Sequence, residues 1–406
     1  MNHSKEKKNI DYSKTNIGVE LECFVVQVDT FENATKEDSQ KIFQTLLEKF
    51  NWKVKDEYKN EIHSVAKNIN GIPVEIKLDV SYAIFEIANV SPCPNLESLE
   101  KMNIQALDEF RESLKENDMV IWPFGVAPAS TGYLKLPTET SREIVNEEFY
   151  GTIQKIDDLT RLCHITSHQI SLDIPFEKML PAINAFYKNL GTIIEKFANS
   201  AAYMNGRLYK EGRYYWWLDA GPTLKRWRIP TFPEKEFETW NEFWTWIFDG
   251  LGFLMRNDVP YGFRNGTTFD GDKIKIHDLL RTRKVLAFGP DGKDVGLNLQ
   301  KEDIEFLFSL SWIDFKPHFD FDQNYTLEEF LEYYDKKDLD GFFEKYCKHC
   351  WLEIRPCSPH LEENAMILPK YFYDIVQNLD QYIKEAKKIS WKEAKIARDK
   401  AIGYTK

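Results

Sequence analysis

Residues 17–25 read I-G-V-E-L-E-C-F-V and form one of the most informative stretches of the sequence. Apolar and polar residues alternate along it, as the side chains of a β-strand do when one face of a sheet is buried. Glu20 and Glu22 therefore point to the same side, where they repel each other with no lysine in the stretch. The pattern predicts a strand whose polar face carries two carboxylates.

Three later stretches show the same alternation. Their polar faces hold Glu86 within residues 82–90, Gln169 and Ser171 within residues 167–173, and Glu353 and Arg355 within residues 351–355. If the four strands are neighbours, four glutamates, a glutamine and an arginine project onto one surface. Carboxylate oxygens are natural ligands of Mg²⁺, and Mg²⁺ held this way often also binds phosphates. The sequence predicts a metal site; the solvent side of an amphipathic sheet is the alternative.

The intervening segments favour helices. Apolar periodicity and capping residues predict helices over residues 40–50, 96–117 (with Asn95 as N-cap), 141–162 and 181–201, and through most of the C-terminal third. Residues 71–79 and 120–126 are typical of strands, and residues 273–288, 295–299 and 312–319 of sheet edges and loops. Alternating strands separated by helices indicate an α+β fold, an antiparallel sheet with one covered side.

Composition excludes several classes of protein. The 406 residues are 43% hydrophobic with a net charge of -12, so a packed core is expected and binding to nucleic acid is not. The most apolar stretch, residues 243–255, is interrupted by Asp249 and is too short to span a bilayer. We therefore expect a cytoplasmic protein that binds neither nucleic acid nor membranes, with reduced cysteines. Cys347 and Cys350 form a single C-x-x-C, which is only a weak zinc or redox pattern.

At the polar strands the sequence resembles the glutamate–cysteine ligase family, in its plant and proteobacterial branch. The resembling segments are I-G-V-E-L-E (17–22), F-E-I-A (85–88) followed by Pro92, L-T-R-L-C-H-I-T-S-H-Q-I-S-L-D (159–173), F-A-N-S (197–200), G-R-Y-Y-W-W-L-D (212–219) and W-L-E-I-R (351–355). Each motif alone is weak, but they follow the family's order along nearly the whole chain.

The resemblance implies a glutamine-synthetase-like curved antiparallel sheet that holds ATP and two or three Mg²⁺ ions, with helices on its outer face. By position it implies that the metal ligands are Glu20, Glu22, Glu86 and Glu353, with Asp79 as a further ligand. Gln169 would lie beside them in the nucleotide site, together with Glu353 and Arg355. Arg355 would contact the nucleotide phosphates, and Arg213 the substrate carboxylate or the transferring phosphoryl group.

The sequence also predicts a division into domains, and the resemblance implies a reaction. Residues 1–16 would be a flexible N-terminal segment, residues 17–385 a single catalytic domain, and residues 386–406 a C-terminal basic helix or tail. The enzyme would join glutamate to cysteine in the glutathione pathway, by forming an acyl phosphate with ATP and letting the amine displace phosphate. A Walker A loop is absent from the sequence, so the sheet itself would hold ATP.

Two departures from the family pattern lie near the implied site. Ser171 stands where the family has Asn, and Pro356-Cys357-Ser358-Pro359 replaces Gly-Ala-Asp-Gly after the last strand. These changes leave two alternatives open: the same chemistry with an amine other than cysteine, or a non-catalytic relative that binds a nucleotide or metabolite. The sequence does not indicate the oligomeric state.

Overall fold

The computed structural model describes residues 15–58, 60–79, 81–128, 164–204, 207–219, 232–249, 253–256, 259–264, 275–288, 293–309 and 313–403. The helix expected over residues 141–162 lies outside these ranges, as does most of the N-terminal segment expected to be flexible. Within the described part, no helix is long and apolar enough to cross a membrane.

The strands are β1 (Ile17–Gln27), β2 (Lys53–Tyr58), β3 (Glu61–Ile69), β4 (Ile72–Leu78), β5 (Ile84–Asn89), β6 (Met119–Trp122), β7 (His168–Asp173), β8 (Ala202–Met204), β9 (Arg207–Tyr209), β10 (Phe253–Arg256), β11 (Val259–Arg264), β12 (Lys284–Phe288), β13 (Asp294–Asn298), β14 (Phe315–Phe321) and β15 (Cys347–Ile354). The helices are α1 (Lys36–Phe50), α2 (Leu96–Lys115), α3 (Phe176–Phe197), α4 (Gly212–Asp219), α5 (Trp240–Phe248), α6 (Ile276–Thr282), α7 (Lys301–Ser309), α8 (Leu327–Asp335), α9 (Leu339–Tyr346), α10 (Ile367–Gln377), α11 (Leu379–Ala386) and α12 (Trp391–Ile402).

Nine of these strands form the main sheet, in the order β14-β15-β7-β1-β5-β4-β3-β2, with β6 paired to the far end of β1. Every pairing within this sheet is antiparallel. Strands β10 to β13 form a second, four-stranded sheet, and β8 with β9 a short ribbon. The mixture of helices and antiparallel sheet expected from the sequence is confirmed.

Helices cover one face of the main sheet. Helices α1 and α2 contact β3, α10 contacts β1 and β7, and α3 contacts β14 and β15. Phe85 of β5 lies between Phe43 of α1 and Phe110 of α2, with ring centroids 5.5 Å and 5.3 Å apart. Burial of such a side chain contributes roughly 1.5–3 kcal/mol, so this layer fixes which face of each strand points away from the helices.

Several element boundaries differ from the sequence expectation. Asn95 caps α2 as expected, with its side chain accepting from the Ser98 amide. Helix α3, in contrast, begins at Phe176 rather than Pro181, because buried Met179 and Leu180 already stabilise its first turns. Residues 276–282 form a helix rather than a sheet edge.

Helix α12, which lies in the C-terminal basic segment, packs against the rest of the protein. Ala394, Ala401 and Ile402 are buried, and α12 lies directly on α3. The contact is close because Gly191 of α3 has no side chain: a Cβ there would lie 2.5 Å from the carbonyl carbon of Ala397.

Candidate active site

The four polar strands are neighbours in the order β15-β7-β1-β5. The register places Glu22 opposite Glu86 and Glu20 opposite Gln169. Across the next pair of strands, Ser171 lies opposite Glu353. The convergence expected from four separate stretches of sequence is therefore present, on the face of the sheet that points away from the helices.

Two arginines and Asp79 complete this group. Arg355 directly follows β15, and Asp79 directly follows β4. Arg213, in the first turn of α4, donates from Nη2 to the Arg355 carbonyl oxygen at 3.2 Å. We call the group the charged face; its members are Glu20, Glu22, Lys77, Asp79, Glu86, Gln169, Arg213, Lys316, Glu353 and Arg355.

Much of the charged face is shielded from water. The exposed fractions are 4% for Glu86, Gln169 and Arg213, and 6% for Glu353. Burial, and secondarily the negative charge of Asp79, raises the pKa of Glu22 to about 7. Burial and the neighbouring Glu20 raise the pKa of Glu86 well above its ordinary value. These carboxyls therefore bind protons, or other positive groups, more readily than carboxyls in water.

Glu22 is held by two hydrogen bonds from β7 and the residue before it. Its Oε1 accepts from Gln169 Nε2 at 2.7 Å, and its Oε2 accepts from the Ser167 backbone amide at 2.7 Å. The Gln169 side chain donates its amide hydrogens to Glu22 and to the Ser167 hydroxyl. Its Oε1 is buried without a hydrogen-bond partner. The geometry fixes Glu22 and leaves a free acceptor beside it.

Two carboxylates of the charged face, those of Glu86 and Glu353, are paired with protein cations, of which the sequence analysis connected only Arg355 to the site. Lys77 Nζ lies 2.9 Å from Glu86 Oε1. Glu353 forms an ion pair with Arg355, lies 3.9 Å from Lys316 Nζ, and accepts from His318 Nε2 at 2.5 Å. Burial, with Lys316 and Arg355, lowers the pKa of His318 to about 3, so a neutral imidazole donates this bond.

As arranged, Glu86 and Glu353 are not available to a bound metal ion. The carboxylate and amide oxygens of the charged face are the right kind of donor for Mg²⁺, but these two residues are taken up by cationic or hydrogen-bonding partners. Among the described residues, no group of three or more His, Cys, Asp or Glu side chains could hold a metal ion. Cys347 and Cys350 are among the residues to which this applies. The Cys350 thiol donates a hydrogen bond to the Ile174 carbonyl oxygen at 3.1 Å. The metal-ligand roles remain predictions.

No protein-family model matches the sequence, and no curated protein sequence matches it. Several solved structures align with this chain at low sequence identity, among them the following three. A bifunctional glutathione synthetase from Pasteurella multocida aligns with a TM-score of 0.47 and 10% identity over 97% of this chain and 42% of that one. This chain therefore spans less than half the length of that protein.

A glutamate–cysteine ligase from Francisella tularensis in complex with AMP aligns with a TM-score of 0.38 and 9% identity over 97% of this chain and 95% of that one. The complex between the prokaryotic ubiquitin-like protein Pup and its ligase aligns with a TM-score of 0.31 and 11% identity over 82% and 65%. At these scores the similarities assign neither a family nor a function.

Sequence reasoning missed Lys77, Lys316 and His318, although a signal for them exists. In β4, Lys77 alternates with buried Ile76 and Leu78, as Glu22 does with its neighbours. In β14, Lys316 and His318 occupy alternate positions of a strand that is otherwise largely apolar. The alternation places these cations on the polar face; only the strand order shows that Lys77 faces Glu86 and Lys316 faces Glu353.

Proposed function

We propose that the protein is an ATP-dependent ligase that joins a carboxylate to an amine through an acyl phosphate. The observation that carries this proposal is a pair of arginines, the buried Arg213 and the half-buried Arg355, set among carboxylates of adjacent strands. The guanidinium of Arg355 is paired with Glu353, whereas the Nε of Arg213 is buried without a hydrogen-bond partner.

The unsatisfied groups of the charged face match the two substrates of such a ligase. A buried polar group without a partner costs roughly 1–3 kcal/mol, which a suitable ligand recovers. The Arg213 Nε–H would be satisfied by a carboxylate or phosphoryl oxygen. The Oε1 of Gln169 would be satisfied by the N–H of an amine.

In the proposed reaction a carboxylate oxygen of the substrate attacks the γ-phosphorus of ATP, and ADP leaves. The amine nitrogen then attacks the acyl carbon, inorganic phosphate leaves with the original carboxylate oxygen, and the amine loses a proton. Such a reaction asks the protein mainly for positioning and charge neutralisation. Arg213 and Arg355 would neutralise the phosphoryl group, and Gln169 would orient the amine.

We propose Glu20, Glu22, Asp79, Glu86 and Glu353 as the residues that would bind Mg²⁺, which neutralises phosphate charge when it accompanies ATP. Such binding requires Lys77 to release Glu86, and Arg355 and His318 to release Glu353. The roles proposed above for Arg213 and Gln169 do not depend on it.

For substrates we propose glutamate and cysteine, giving γ-glutamylcysteine. Ser171 and the Pro356–Pro359 segment, which depart from the family pattern, motivate another amine as the alternative acceptor. ADP release with glutamate, measured across a panel of amines, distinguishes the two. Turnover with another amine and none with cysteine would replace the cysteine assignment; ADP release that no amine stimulates would contradict the ligase itself.

A matched pair of arginine variants links the activity to the charged face. Arg213→Lys should reduce ligation at least tenfold, because an ammonium group cannot reproduce the Nε–H geometry of the guanidinium. Arg256→Lys is the control, since Arg256 pairs with Asp303, outside the charged face, at 2.6 Å. Equal activity of the two variants would remove Arg213 from the site.

A non-catalytic nucleotide- or metabolite-binding protein is the second candidate. It is favoured by the pairing of Glu86 and Glu353 with protein cations, which leaves less of the charged face available to substrates. Thermal stabilisation by Mg-ATP without ADP release under any combination of amino acids would support it. Ligation by the wild-type protein would exclude it.

A further inference from the structure

Glu211 is a buried carboxylate that belongs to neither the charged face nor a polar strand. It directly precedes α4 and is 1% exposed. Its contacts reach both chain segments that carry the arginines of the charged face. We propose that Glu211 is a positioning residue, which holds Arg213 and Arg355 in a fixed relation to each other; the inference rests on the proposed ligase function for its catalytic meaning.

The first set of contacts fixes Arg213. Ser200 Oγ donates to Glu211 Oε1 at 2.5 Å, and the same hydroxyl oxygen accepts from the Arg213 backbone amide at 3.0 Å. The Asn199 backbone amide donates to Glu211 Oε2 at 3.1 Å. Because Ser200 lies between the carboxylate and the first turn of α4, Glu211 orients the hydroxyl that holds Arg213.

The second contact reaches the segment after Arg355. Ser358 Oγ donates to Glu211 Oε1 at 2.6 Å, on the same oxygen that Ser200 uses. Ser358 can lie there because residue 125 is glycine: a Cβ at Gly125 would be 2.5 Å from Ser358 Oγ. One oxygen of the Glu211 carboxylate therefore joins Ser200, which holds Arg213, to Ser358, which follows Arg355 in the chain.

Independent contacts show that the two segments are packed as one unit. Tyr214, next to Arg213, donates to Asp314 Oδ2 at 2.8 Å, and the Arg355 amide donates to the Asp314 carbonyl at 2.9 Å. Asn199 Nδ2 donates to the Pro359 carbonyl at 2.8 Å. The Glu211 carboxylate accepts hydrogen bonds from both segments.

The role requires an acceptor without hydrogens. Three donors converge on Glu211, and its two carboxylate oxygens accept all three hydrogen bonds. A glutamine has the same shape but turns an NH₂ group toward at least one donor. The distance from Glu211 to the segments is set by its two methylenes, so aspartate would be too short to reach both.

The kinetic test combines variants at Glu211 and Arg213. Glu211→Ala should lower kcat/KM for the carboxylate substrate about 100-fold, since a misplacement of about 1 Å in a positioned group can cost that much. In the Glu211→Ala background, Arg213→Ala should cost less than tenfold more, because the guanidinium is already misplaced. Glu211→Gln should recover part of the loss.

Asp303→Ala is the matched control for loss of a buried carboxylate. Asp303 is 1% exposed and pairs with Arg256, outside the charged face. Its loss should lower the midpoint of thermal unfolding without changing KM, and should combine additively with Arg213→Ala. Additive effects of Glu211→Ala and Arg213→Ala, as in the control, would overturn the inference.

A measurement independent of activity separates this inference from the proposed function. In hydrogen–deuterium exchange, Glu211→Ala should speed exchange in peptides covering both residues 199–215 and residues 353–361. Faster exchange in the first peptide alone would overturn the inference, whether or not the protein is a ligase. Absence of ligation by the wild-type protein, with both peptides affected in the variant, would refute the ligase function and leave the structural connection intact.

Discussion

Replacing Glu22 with glutamine should make the protein more stable at alkaline pH and, in the same molecule, inactive as a ligase. Glu22 accepts hydrogen bonds from Gln169 and from the Ser167 amide. A glutamine can keep one of these bonds directly. Rotation of the Gln169 amide would bring its unpaired Oε1 toward the new NH₂ group, so the fold should be retained.

The size of this stabilisation follows from the pKa of Glu22. Burial, and to a lesser degree the negative charge of Asp79, raises this pKa from 4.5 to about 7. A carboxyl whose pKa is raised by folding stabilises the protein below the pKa of the unfolded chain and loses that contribution as the pH rises through about 7. At about 1.4 kcal/mol per pKa unit, ionised Glu22 costs roughly 3 kcal/mol above that pH. The variant, which cannot ionise, should exceed the wild type by that amount near pH 9 and match it near pH 4.

Urea unfolding followed by tryptophan fluorescence, in EDTA and across this pH range, measures the difference. Glu329→Gln is a control of opposite sign. The Thr326 amide and the Tyr346 hydroxyl lower the pKa of Glu329 to about 2, so its contribution is present above the unfolded pKa and is lost as the pH falls through about 2. Parallel stability curves for Glu22→Gln and the wild type would refute the electrostatic reasoning. Near-normal ligation by the variant would remove Glu22 from the site.

Two further changes test the packing and charge balance that support the site. Lys77→Met should lower the free energy of unfolding by about 2 kcal/mol in EDTA, because buried Glu86 loses the cation that lies 2.9 Å away. The partial exposure of Lys77 keeps the effect this small. An unchanged urea midpoint would show that the ion pair does not stabilise the fold. Gly191→Ala should lower the free energy of unfolding by about 2 kcal/mol or more, because the new Cβ would lie 2.5 Å from the Ala397 backbone. Gly296→Ala is the control and should unfold like the wild type, since a Cβ there has nothing within 4 Å. Equal thermal midpoints for the two variants would contradict the contact between α3 and α12.

The faces of the strands could be predicted from the sequence because strand geometry alternates strictly. Glu20, Glu22, Glu86 and Glu353 lie on one face for the same reason that their apolar neighbours lie beneath the helices. Which strands are neighbours in the sheet could not be read from the sequence, and the predicted site rested on the assumption that the four polar strands adjoin. The sheet order supplies that adjacency.

The balance of charge could not be predicted, because it depends on strands that the sequence did not connect to the site. Lys77 and Lys316 carry ordinary alternation signals in their own strands, but they meet Glu86 and Glu353 only through long-range pairing. Glu211 gives no periodic signal at all. Its environment is assembled from segments near residues 125, 200 and 358, so only tertiary structure reveals it.

The proposed ligase function depends most on activation of a carboxylate as an acyl phosphate, and transfer of labelled oxygen tests that step directly. Glutamate labelled with oxygen-18 in its γ-carboxylate is incubated with ATP, Mg²⁺, an amine acceptor and the protein, and the inorganic phosphate is analysed by mass spectrometry. An acyl-phosphate intermediate leaves one labelled oxygen in each phosphate released, and this is the expected result. Unlabelled phosphate, formed by attack of water on ATP, would contradict it.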